Sequence, residues 1–522
     1  MESGMKEMES AIKELREKET RARSGGGTAR LEAERKKGKL TARERIDYLL
    51  DAGSFEELNM LAETQCFDFE MQKKKVLTDG VVTGHGMIDG RRVFVFSQDA
   101  SIFGGAAGRA HGQKIVHLFQ LARKVGAPII GLMDSAGGRI QEGMDNVAGY
   151  GEMFRQNVLS SGVIPQISAI MGVCTGGAVY SPALTDFILQ VENTAQMFIT
   201  GPGVIKAVTG ESVSFEELGG VRVHTEKSGV ATLAAKDDKD CLDKIRKLLS
   251  FLPSNNKECP PLLSPRDDPH RETPLLAQIV PADPSEFFDI HEVISEIVDE
   301  GDFFELFPDF ALNIVIGFAR MAGRTVAVIA NQCLYYAGVL DINAADKASR
   351  FIRFSDAFGI PIVSLVDVPG YLPGVHQEHQ GIIRHGAKML YAYAEATVPK
   401  ITCILRKAYG GSIPAMGGCH EIGVDYIMAW PCAEMAMMAA EPAVEIIYRK
   451  EIQNAPDPAE YKKAKVKEYR ETFCTPYFAA SKQLIDAVIE PKDTRKKIIR
   501  ALLMLENKTE ETPCRKHGIF PV

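Results

Sequence analysis

The sequence repeats itself once at a long and nearly constant spacing, and this repeat limits the folds open to the chain. Residues 128–134 (PIIGLMD) correspond to residues 361–367 (PIVSLVD), and residues 90–95 correspond to residues 323–328 at the same offset. Repeats of roughly 20–50 residues are typical of solenoids, whereas so long a spacing predicts two copies of a whole domain. The length of 522 residues fits two such domains.

A glycine pair lies at the same place in each copy, Gly176-Gly177 in the first and Gly410-Gly411 in the second. Each pair follows an apolar, β-branched run, residues 164–170 and 398–405, and precedes small residues. We predict a strand, a tight turn and a helix N-terminus. There the first amides lack intrahelical acceptors, and glycine lets a ligand approach the backbone. One such turn is more often a plain connection, but two predict a pair of oxyanion sites.

Composition excludes several classes of protein. The formal net charge of −8 argues against a nucleic-acid-binding protein, which usually carries a basic field. The N-terminus is charged and has no apolar core, so we do not predict a secretory signal, and no apolar run reaches the ~18 residues of a membrane span. The ten cysteines contain no C-x-x-C pair. We predict reduced cysteines, no zinc or other metal, and a cytoplasmic location, with a mitochondrial or membrane-associated one left open.

Strand and helix patterns alternate along each copy. This alternation predicts an α/β fold with right-handed crossovers, in a doubly wound arrangement that binds ligands at the carboxyl ends of its strands. The predicted strands are residues 80–84, 92–96 and 128–133, and the predicted helix between the last two is residues 111–125.

The ends and the middle of the chain have their own signatures. The first 50 residues are charged and helical in spacing, with a break at residues 24–27 and a helix from residue 44 for which Thr41 is the N-cap. We interpret the charges as a solvated helix face; a ligand role for Lys36, Lys37, Lys39 and Arg43 is the weaker alternative. Residues 253–274 are rich in proline and charge, which predicts an irregular surface linker. Residues 496–506 predict a terminal amphipathic helix.

No side chain near the glycine pairs has the pattern of a nucleophile or a general base. Ser181 lacks a G-x-S-x-G elbow, and His376, His379 and His385 have no metal-ligand spacing, so we interpret them as structural donors. Asp134 and Asp367 end equivalent strands, which favours a repeated structural role. The chain also lacks a G-x-x-x-x-G-K-[ST] motif. The sequence therefore offers two oxyanion sites without a base, and the substrates themselves are expected to supply it.

Seven motifs together resemble the carboxyltransferase subunit of biotin-dependent acyl-CoA carboxylases, transcarboxylases and decarboxylases. The resemblance covers almost the full length and is nearest to the propionyl-CoA/methylmalonyl-CoA branch. The motifs are residues 41–45 (TARER), 134–143 (DSAGGRIQEG), 176–183 (GGAVYSPA), 198–202 (FITGP), 367–370 (DVPG), 381–388 (GIIRHGAK) and 407–411 (KAYGG).

The resemblance implies an α/β fold of two tandem crotonase-like (ClpP/crotonase spiral) domains related by internal duplication. It implies an N-terminal carboxyltransferase domain over residues 1–262, a linker over 263–280 and a C-terminal one over 281–522. Backbone amides of Gly176 and Gly177 would stabilise the acyl-CoA thioester oxygen, and those of Gly411 and Ser412 the ureido oxygen of biotin. Further contacts with coenzyme A or biotin would come from Gly137, Gly138, Ala178, Tyr180, Tyr409, Gly410, Ile413 and Pro414.

The implied activity is transfer of a carboxyl group between biotin and the α-carbon of a short acyl-CoA through an enolate. Biotin would arrive on a separate carrier protein, because the chain has no Met-Lys-Met biotinylation site. The implied partners are that carrier, a biotin carboxylase subunit and five further copies in a homo-hexamer, in which the N-half of one subunit faces the C-half of another. Ile413-Pro414 departs from the Tyr-Asp of many propionyl-preferring members, so the acyl group is left open.

Two alternatives remain. The chain could be the alpha subunit of a sodium-pumping methylmalonyl-CoA decarboxylase, with membrane decarboxylase subunits as partners, because the chemistry of the soluble subunit is the same. It could also be a biotin-independent crotonase-type hydrolase or isomerase. That class predicts a catalytic glutamate at a helix start near one turn and has no use for the second. A non-enzymatic scaffold fits least well, because it does not need both glycine pairs.

Overall fold

The computed structural model describes residues 2–265 and 267–522 and divides into two units, one ending at Glu258 and the other beginning at Cys259. Each unit contains one eight-stranded sheet. The strands of the first unit are β1 (Glu56–Leu58), β2 (Val81–Ile88), β3 (Arg91–Gln98), β4 (Ile129–Ser135), β5 (Gln166–Thr175), β6 (Phe187–Val191), β7 (Gln196–Phe198) and β8 (Leu233–Ala235). Those of the second unit are β9 (Phe303–Leu306), β10 (Ile314–Met321), β11 (Arg324–Asn331), β12 (Ile362–Val368), β13 (Lys400–Tyr409), β14 (Tyr426–Ala429), β15 (Glu434–Ala436) and β16 (Ala487–Val488).

The helices follow the same division. The first unit contains α1 (Glu2–Arg23), α2 (Thr28–Lys36), α3 (Ala42–Leu49), α4 (Arg109–Val125), α5 (Gly143–Ser160), α6 (Tyr180–Ala183), α7 (Pro202–Thr209), α8 (Phe215–Gly219) and α9 (Asp238–Phe251). The second contains α10 (Leu276–Ile279), α11 (Ile290–Ile297), α12 (Ile342–Ala357), α13 (Val375–Gln380), α14 (Ile382–Glu395), α15 (Ser412–Ala415), α16 (Ala440–Ile447), α17 (Arg449–Asn454), α18 (Pro458–Phe473), α19 (Pro476–Ser481) and α20 (Thr494–Met504).

The duplication is confirmed strand by strand. The bounds of β10, β11 and β12 are those of β2, β3 and β4 moved by the offset that relates residue 128 to residue 361, and β13 is β5 moved by one position more. Both sheets pair their first three strands antiparallel and the following ones parallel. The helix predicted over residues 111–125 is α4, which begins two residues earlier, at Arg109.

The doubly wound arrangement is wrong in detail. In a doubly wound sheet the strand order reverses at a switch point, where ligands bind. Here the first sheet has the order β1-β2-β3-β4-β5-β6-β8, so each new strand joins the same growing edge, and β7 pairs with the end of β5. The second sheet repeats this order, and β15 pairs with the end of β13. The sheets are therefore spirals, and the ends of β5 and β13, where ligand sites are predicted, do not lie at a switch point.

Helices cover both faces of the second sheet, because its strands are apolar on both sides. Phe318 of β10 packs on Phe351 of α12, with 5.1 Å between ring centroids. Its neighbours Val315 and Ala319 point to the other face, into a buried cluster that includes Ile294 of α11 and Ile498 of α20. Nearly continuous apolar strands of this kind are expected where a parallel sheet is buried on both faces.

The N-terminal and middle segments differ in how well their sequences predicted them. Thr41 is the N-cap of α3, in a capping box with Glu44, as predicted. The irregular linker predicted over residues 253–274 contains no helix or strand in its described residues, but its end is not on the surface: Thr273 is fully buried, and its N–H donates to the Lys492 carbonyl oxygen. Residues 276–279, beyond that segment, form α10, in which Leu276 is fully buried. Leu276 and Ile279 supply the apolar side chains with which this short helix packs.

Candidate active site

The first glycine turn lies at the end of β5. This strand continues to Thr175, well past the predicted apolar run, because residues 173–175 pair with β7 after residues 167–170 have paired with β6. Gly176 has a φ of +62°, and the residues Gly176–Val179 form a turn of 3-10 helix that leads into α6. The predicted order of strand, turn and helix start is confirmed. A positive φ is unstrained in glycine, which explains the first glycine of the pair.

The second glycine turn begins with the same left-handed glycine. Gly410 follows β13 with a φ of +58°, and α15 begins at Ser412. The N–H of Gly410 donates to the Ala436 carbonyl oxygen at 2.9 Å, and the N–H of Ile413 donates to the Gly410 carbonyl oxygen at 3.1 Å. Helical hydrogen bonding thus begins at Ile413, and the amides of Gly411 and Ser412 precede it. Ile413 and Pro414 lie beside them, at the start of α15.

The space around the second residue of each pair differs. A Cβ at Gly411 would have no atom within 4 Å, whereas a Cβ at Gly177 would lie 3.3 Å from Tyr150 Cδ2. Ser412 is buried, and its Oγ donates to the Tyr409 carbonyl oxygen at 2.6 Å. In the first turn the corresponding residue, Ala178, is also buried, and its carbonyl oxygen accepts from Cys174 Sγ at 3.4 Å.

The predicted loop at Gly137-Gly138 meets the first turn. A Cβ at Gly137 would lie 2.8 Å from the Thr175 carbonyl oxygen, immediately before Gly176, and Gly137 has a φ of +95°. The Ala107 N–H donates to the Gly137 carbonyl oxygen, and the Leu340 N–H donates to that of Gly370 in the second unit. These two hydrogen bonds occupy equivalent positions. The loop after β4 and the loop after β12 are thus anchored in the same way.

The remaining predicted contacts flank the turns. Tyr180, the first residue of α6, is 46% exposed, and its ring meets the ring of Phe154 edge-on at 6.0 Å. Tyr409, the last residue of β13, is buried, and its hydroxyl donates to Glu434 Oε2 at 2.6 Å. Burial and the neighbouring Glu434 carboxylate raise the pKa of Tyr409. Tyr180 therefore offers an exposed aromatic surface, whereas Tyr409 is committed to a structural hydrogen bond.

Asp134 and Asp367 have the repeated structural role that their positions predicted. Asp134 N–H donates to Gln98 Oε1 at 3.0 Å, and Asp367 N–H donates to Asn331 Oδ1 at 3.2 Å. The side-chain amide that accepts from each aspartate N–H is thus also present in both copies. Both carboxylates are buried in ion pairs.

The cations that pair with these aspartates come from different parts of the chain. In the second unit Arg406 of β13 pairs with Asp367 at 2.8 Å. The corresponding residue of β5 is Gly172, whose Cα lies so close to the Asp134 carboxylate that a Cβ has no room. Lys39 and Arg45, from the N-terminal segment, replace the missing arginine, with 2.8 Å and 3.1 Å from their nitrogens to Asp134 Oδ2.

The interpretation of Lys39 as part of a solvated face is therefore wrong, whereas the alternative ligand role of Lys36, Lys37, Lys39 and Arg43 stays a prediction. Its side chain is 8% exposed and pairs with Asp134 and with Glu34. Arg43 pairs with Glu57 at 2.6 Å, whereas Lys36 and Lys37 lie on the exposed surface. A lysine in a charged run gives no local signal of burial, because its partner lies 95 residues further along the chain.

Two of the possible bases, Ser181 and His385, make structural contacts. Ser181 Oγ is buried and donates to Asn157 Oδ1 at 2.9 Å. His385 Nδ1 lies 2.9 Å from the Asp346 carboxylate, which Lys388 also contacts at 2.8 Å. Burial raises the pKa of the Cys174 thiol to about 12, so the thiol beside the first turn stays protonated at neutral pH. Among the described residues, 2–265 and 267–522, no group of three or more His, Cys, Asp or Glu side chains is placed to hold a metal ion.

The aromatic support of the first turn was not predicted. Tyr150 lies against Gly177, and Phe154, one helical turn later on α5, packs between Tyr150 and Tyr180. The only sequence signal is a pair of aromatic residues four positions apart, which is common in any amphipathic helix.

Nothing in the described part of the chain forms a helix that is both long and apolar enough to cross a bilayer.

Fold and site together define a class: a duplicated α/β spiral protein with a glycine turn after the same strand in each copy. The chain matches the carboxyl transferase domain family over residues 33–520. It is 54% identical over 515 residues to the propionyl-CoA carboxylase carboxyltransferase subunit of Haloferax mediterranei, covering 99% of this chain and 100% of that one. It is 51% identical to the methylmalonyl-CoA decarboxylase subunit alpha of Propionigenium modestum, covering 98% of this chain and 99% of that one.

The fold has a solved counterpart. The transcarboxylase 12S crystal structure, described as a hexamer assembly with methylmalonyl-coenzyme A bound, matches with a TM-score of 0.97 at 50% identity, over 99% of this chain and 98% of that chain. The chain therefore belongs to the carboxyl transferase domain family, and it is a carboxyltransferase of the biotin-dependent propionyl-CoA carboxylase and transcarboxylase group. The expectation of two crotonase-like domains is confirmed by the same match.

Proposed function

We propose that the protein moves a carboxyl group between biotin, carried on a separate protein, and the α-carbon of propionyl-CoA or methylmalonyl-CoA. The observation that carries the proposal is the duplicated turn: two strands of one chain end in the same left-handed glycine, with φ of +62° and +58°, followed by helix-initiating amides. A reaction that develops two enolate-like oxyanions, one on each substrate, needs two such turns. A hydrolase or isomerase without biotin needs only one.

The first turn is proposed to bind the thioester oxygen of the acyl-CoA. Gly177 occupies the position of Gly411, and Ala178 that of Ser412, whereas Gly176 corresponds to Gly410, whose N–H is already donated to Ala436. The repeat therefore favours the amides of Gly177 and Ala178, in addition to the predicted Gly176, as donors to this oxygen. Gly137 and Gly138, which lie beside Thr175, and the exposed ring of Tyr180 are proposed to contact the coenzyme A portion.

The second turn is proposed to bind biotin, through the amides of Gly411 and Ser412. The open space beside Gly411 fits a flat ring that must come close to the backbone. When bound, carboxylated biotin supplies the carboxyl group, and the biotin that remains supplies the base. The protein orients the rings and amides, with Tyr409, Gly410, Ile413 and Pro414 as the neighbouring contacts. No side chain of the chain is asked to move a proton.

We also propose the domain and partner assignments. The acyl-CoA turn lies in the N-terminal domain (1–262), the biotin turn in the C-terminal domain (281–522), and residues 263–280 link them. The partners are a biotin carboxyl carrier protein and a biotin carboxylase subunit, and the chain forms a homo-hexamer as the 12S protein does. A cytoplasmic location, where the ten cysteines stay reduced, suits them all.

A second candidate is the alpha subunit of a methylmalonyl-CoA decarboxylase, in which the same transfer runs toward biotin and membrane subunits release the carboxyl group. The 51% identity to the Propionigenium modestum subunit favours it. The two candidates differ in partners rather than in the chemistry of this chain. Pull-down of the partner subunits from the native host separates them.

The test is a transfer assay. Purified protein and free biotin are mixed with methylmalonyl-CoA, malonyl-CoA or glutaconyl-CoA, and biotin-dependent loss of the carboxylate is followed. We expect methylmalonyl-CoA to be turned over fastest, with Gly177→Val as the inactive control. Loss of carboxylate from none of the three, or loss that does not depend on biotin, contradicts the proposed function.

A further inference from the structure

Three aromatic side chains form a brace behind the first glycine turn. Tyr150 is 7% exposed, and its ring stacks on the ring of Phe154 at 5.9 Å between centroids with an interplanar angle of 30°. Phe154 in turn meets Tyr180 edge-on at 6.0 Å and 84°. Tyr150 and Phe154 lie on α5, and Tyr180 begins the helix that follows the turn. The brace therefore contacts both the turn and the helix that the turn starts.

The contact with the turn is at Gly177 itself. A Cβ built on Gly177 would lie 3.3 Å from Tyr150 Cδ2 and 3.4 Å from Cε2, closer than most real Cβ contacts. The Gly177 backbone thus rests on the ring with no side chain between them. A glycine turn is flexible, so its amide direction is defined only as well as its surroundings hold it. An aromatic ring is a rigid surface for this purpose, because it has few rotatable bonds and fills a fixed volume.

None of the described residues forms a brace of this kind at the second turn. Gly411 has open space where Gly177 meets Tyr150, and the turn is held by hydrogen bonds instead, from Ser412 Oγ to the Tyr409 carbonyl oxygen and from Gly410 N–H to the Ala436 carbonyl oxygen. Gly386 of α14 takes the place of Tyr150, because the buried residues of α14 (382, 386, 389, 392 and 393) repeat the spacing of those of α5 (146, 150, 153, 156 and 157). The brace is therefore a feature of the first turn that the duplication did not keep.

We propose that Tyr150 and Phe154 are positioning residues for the first turn: they hold the Gly177 N–H where the thioester oxygen becomes anionic. This inference rests on the proposed function. An oxyanion donor acts only when it is directed at the place where the charge develops, and a misplacement of about 1 Å costs as much as ~100-fold in rate. Tyr150 is buried behind the turn, so its effect is expected to pass through the backbone of Gly177.

The experiment compares ring removal with ring retention. In Tyr150→Leu we expect kcat of carboxyl transfer to fall about 30- to 100-fold, with KM for the acyl-CoA changed less than about threefold. Tyr150→Phe keeps the ring and is expected to stay within about twofold of the wild type. The decarboxylation of carboxybiotin, which needs only the second turn, is expected to be unchanged in both variants. Phe119→Leu, a buried ring lost from α4 in the same unit, is the matched control.

A second readout does not depend on activity. In crystal structures of the wild type and of Tyr150→Leu, the Gly177 nitrogen is expected to move by more than about 0.5 Å, the tolerance of a catalytic constellation. If Tyr150→Leu does not fold, Phe154→Leu replaces it, with an expected loss of about 3- to 10-fold in kcat.

The positioning role is overturned if Tyr150→Leu keeps its kcat or if the Gly177 nitrogen stays in place. It is also overturned if Tyr150→Leu slows both partial reactions to the same extent as Phe119→Leu does, because that result is a general effect of losing a buried ring. A wild-type protein without biotin-dependent transfer overturns the proposed function instead. The displacement of Gly177 then still decides whether Tyr150 positions the turn.

Discussion

In the first unit the glycine turn rests against the ring of Tyr150, whereas the corresponding turn of the second unit has open space beside Gly411 and is held by the hydroxyl of Ser412. The left-handed glycines that begin the two turns have nearly the same φ, +62° and +58°. Both copies thus keep the left-handed glycine, but the contacts that hold the turn in place differ between them. Hydrogen bonds leave the space beside Gly411 free, which suits the biotin ring that is proposed to bind there.

The paired aspartates show the same division. Both are capped by an amide side chain at the same position, Gln98 or Asn331, but the cation comes from the next strand in one unit and from the N-terminal segment in the other.

Two buried lysines, in contrast, were kept with their partners. Lys114 donates to the Thr78 and Val81 carbonyl oxygens, and Lys347 donates to those of the corresponding residues, Ala311 and Ile314, in the second unit. These lysine contacts are present in both units because their acceptors are backbone carbonyl oxygens, which are available whichever residue occupies the position.

The largest expected difference between the turns is in Gly177→Val and Gly411→Val. We expect each to lower the rate of carboxyl transfer by about 100- to 1,000-fold, because a branched side chain displaces the amide or blocks the oxygen. Only Gly411→Val is expected to stop the decarboxylation of carboxybiotin. Gly177→Val meets Tyr150 and is also expected to lose stability, whereas Gly411→Val meets no atom. Equal loss of the carboxybiotin reaction in both variants contradicts the division of labour between the turns.

The ion pairs of the aspartates predict a difference in stability. Arg406→Met leaves the buried Asp367 carboxylate with Lys407 at 3.8 Å as its remaining cation, and we expect a loss of about 3–5 kcal/mol. Lys39→Met leaves Arg45 on Asp134 and is expected to cost about 1–2 kcal/mol. Hydrogen exchange of β13 in the first variant and of β5 in the second measures the two losses. A larger loss in Lys39→Met refutes this account of the two cation sources.

The buried lysines give a smaller contrast. Lys347 Nζ lies within hydrogen-bond distance of four carbonyl oxygens and Lys114 Nζ of two, so Lys347→Met leaves more acceptors without a donor. We expect a loss of about 2–4 kcal/mol for Lys347→Met and about 1–2 kcal/mol for Lys114→Met. Hydrogen exchange of the amides in β10 and β2, measured at increasing urea concentrations, compares the stability losses of the two variants. Equal losses show that the number of carbonyl partners does not set the stability.

The smallest effect depends on pH and concerns His291, which pairs with Glu305 where Arg43 pairs with Glu57 in the first unit. Hydrogen bonding to Glu305 and Asp289 raises the pKa of His291 from 6.5 to about 9. The stabilisation is therefore complete below about pH 6.5 and is lost as the pH rises through about 9. The ring is 41% exposed, so we expect no more than about 0.5–1 kcal/mol.

Fluorescence of the single tryptophan, Trp430, which is buried in the second unit, follows urea unfolding of wild type and His291→Gln at pH 6 and pH 9.5. The difference in stability between the two proteins is expected at pH 6 and absent at pH 9.5. A difference that stays the same at both values shows that protonation of His291 is not its cause.

The sequence predicted the parts of the site that depend on local pattern. The strand, left-handed glycine and helix start of each turn are readable because a β-branched run, a glycine pair and small residues follow one another directly. The loop at Gly137-Gly138 was singled out by the motif of residues 134–143. The end of β5 was missed, since residues 171–175 contain a glycine and look like a turn until β7 pairs with them.

The sequence by itself determined the duplication, the α/β class and the two glycine turns, because these follow from residue spacing and backbone conformation. The tertiary structure alone decided the order of the strands, the burial of Lys39, the source of the cations for Asp134 and Asp367, and the brace of Tyr150 behind Gly177. Each of these joins residues that are far apart in the chain. Their energies depend on desolvation and close contact, which arise only when the chain has folded.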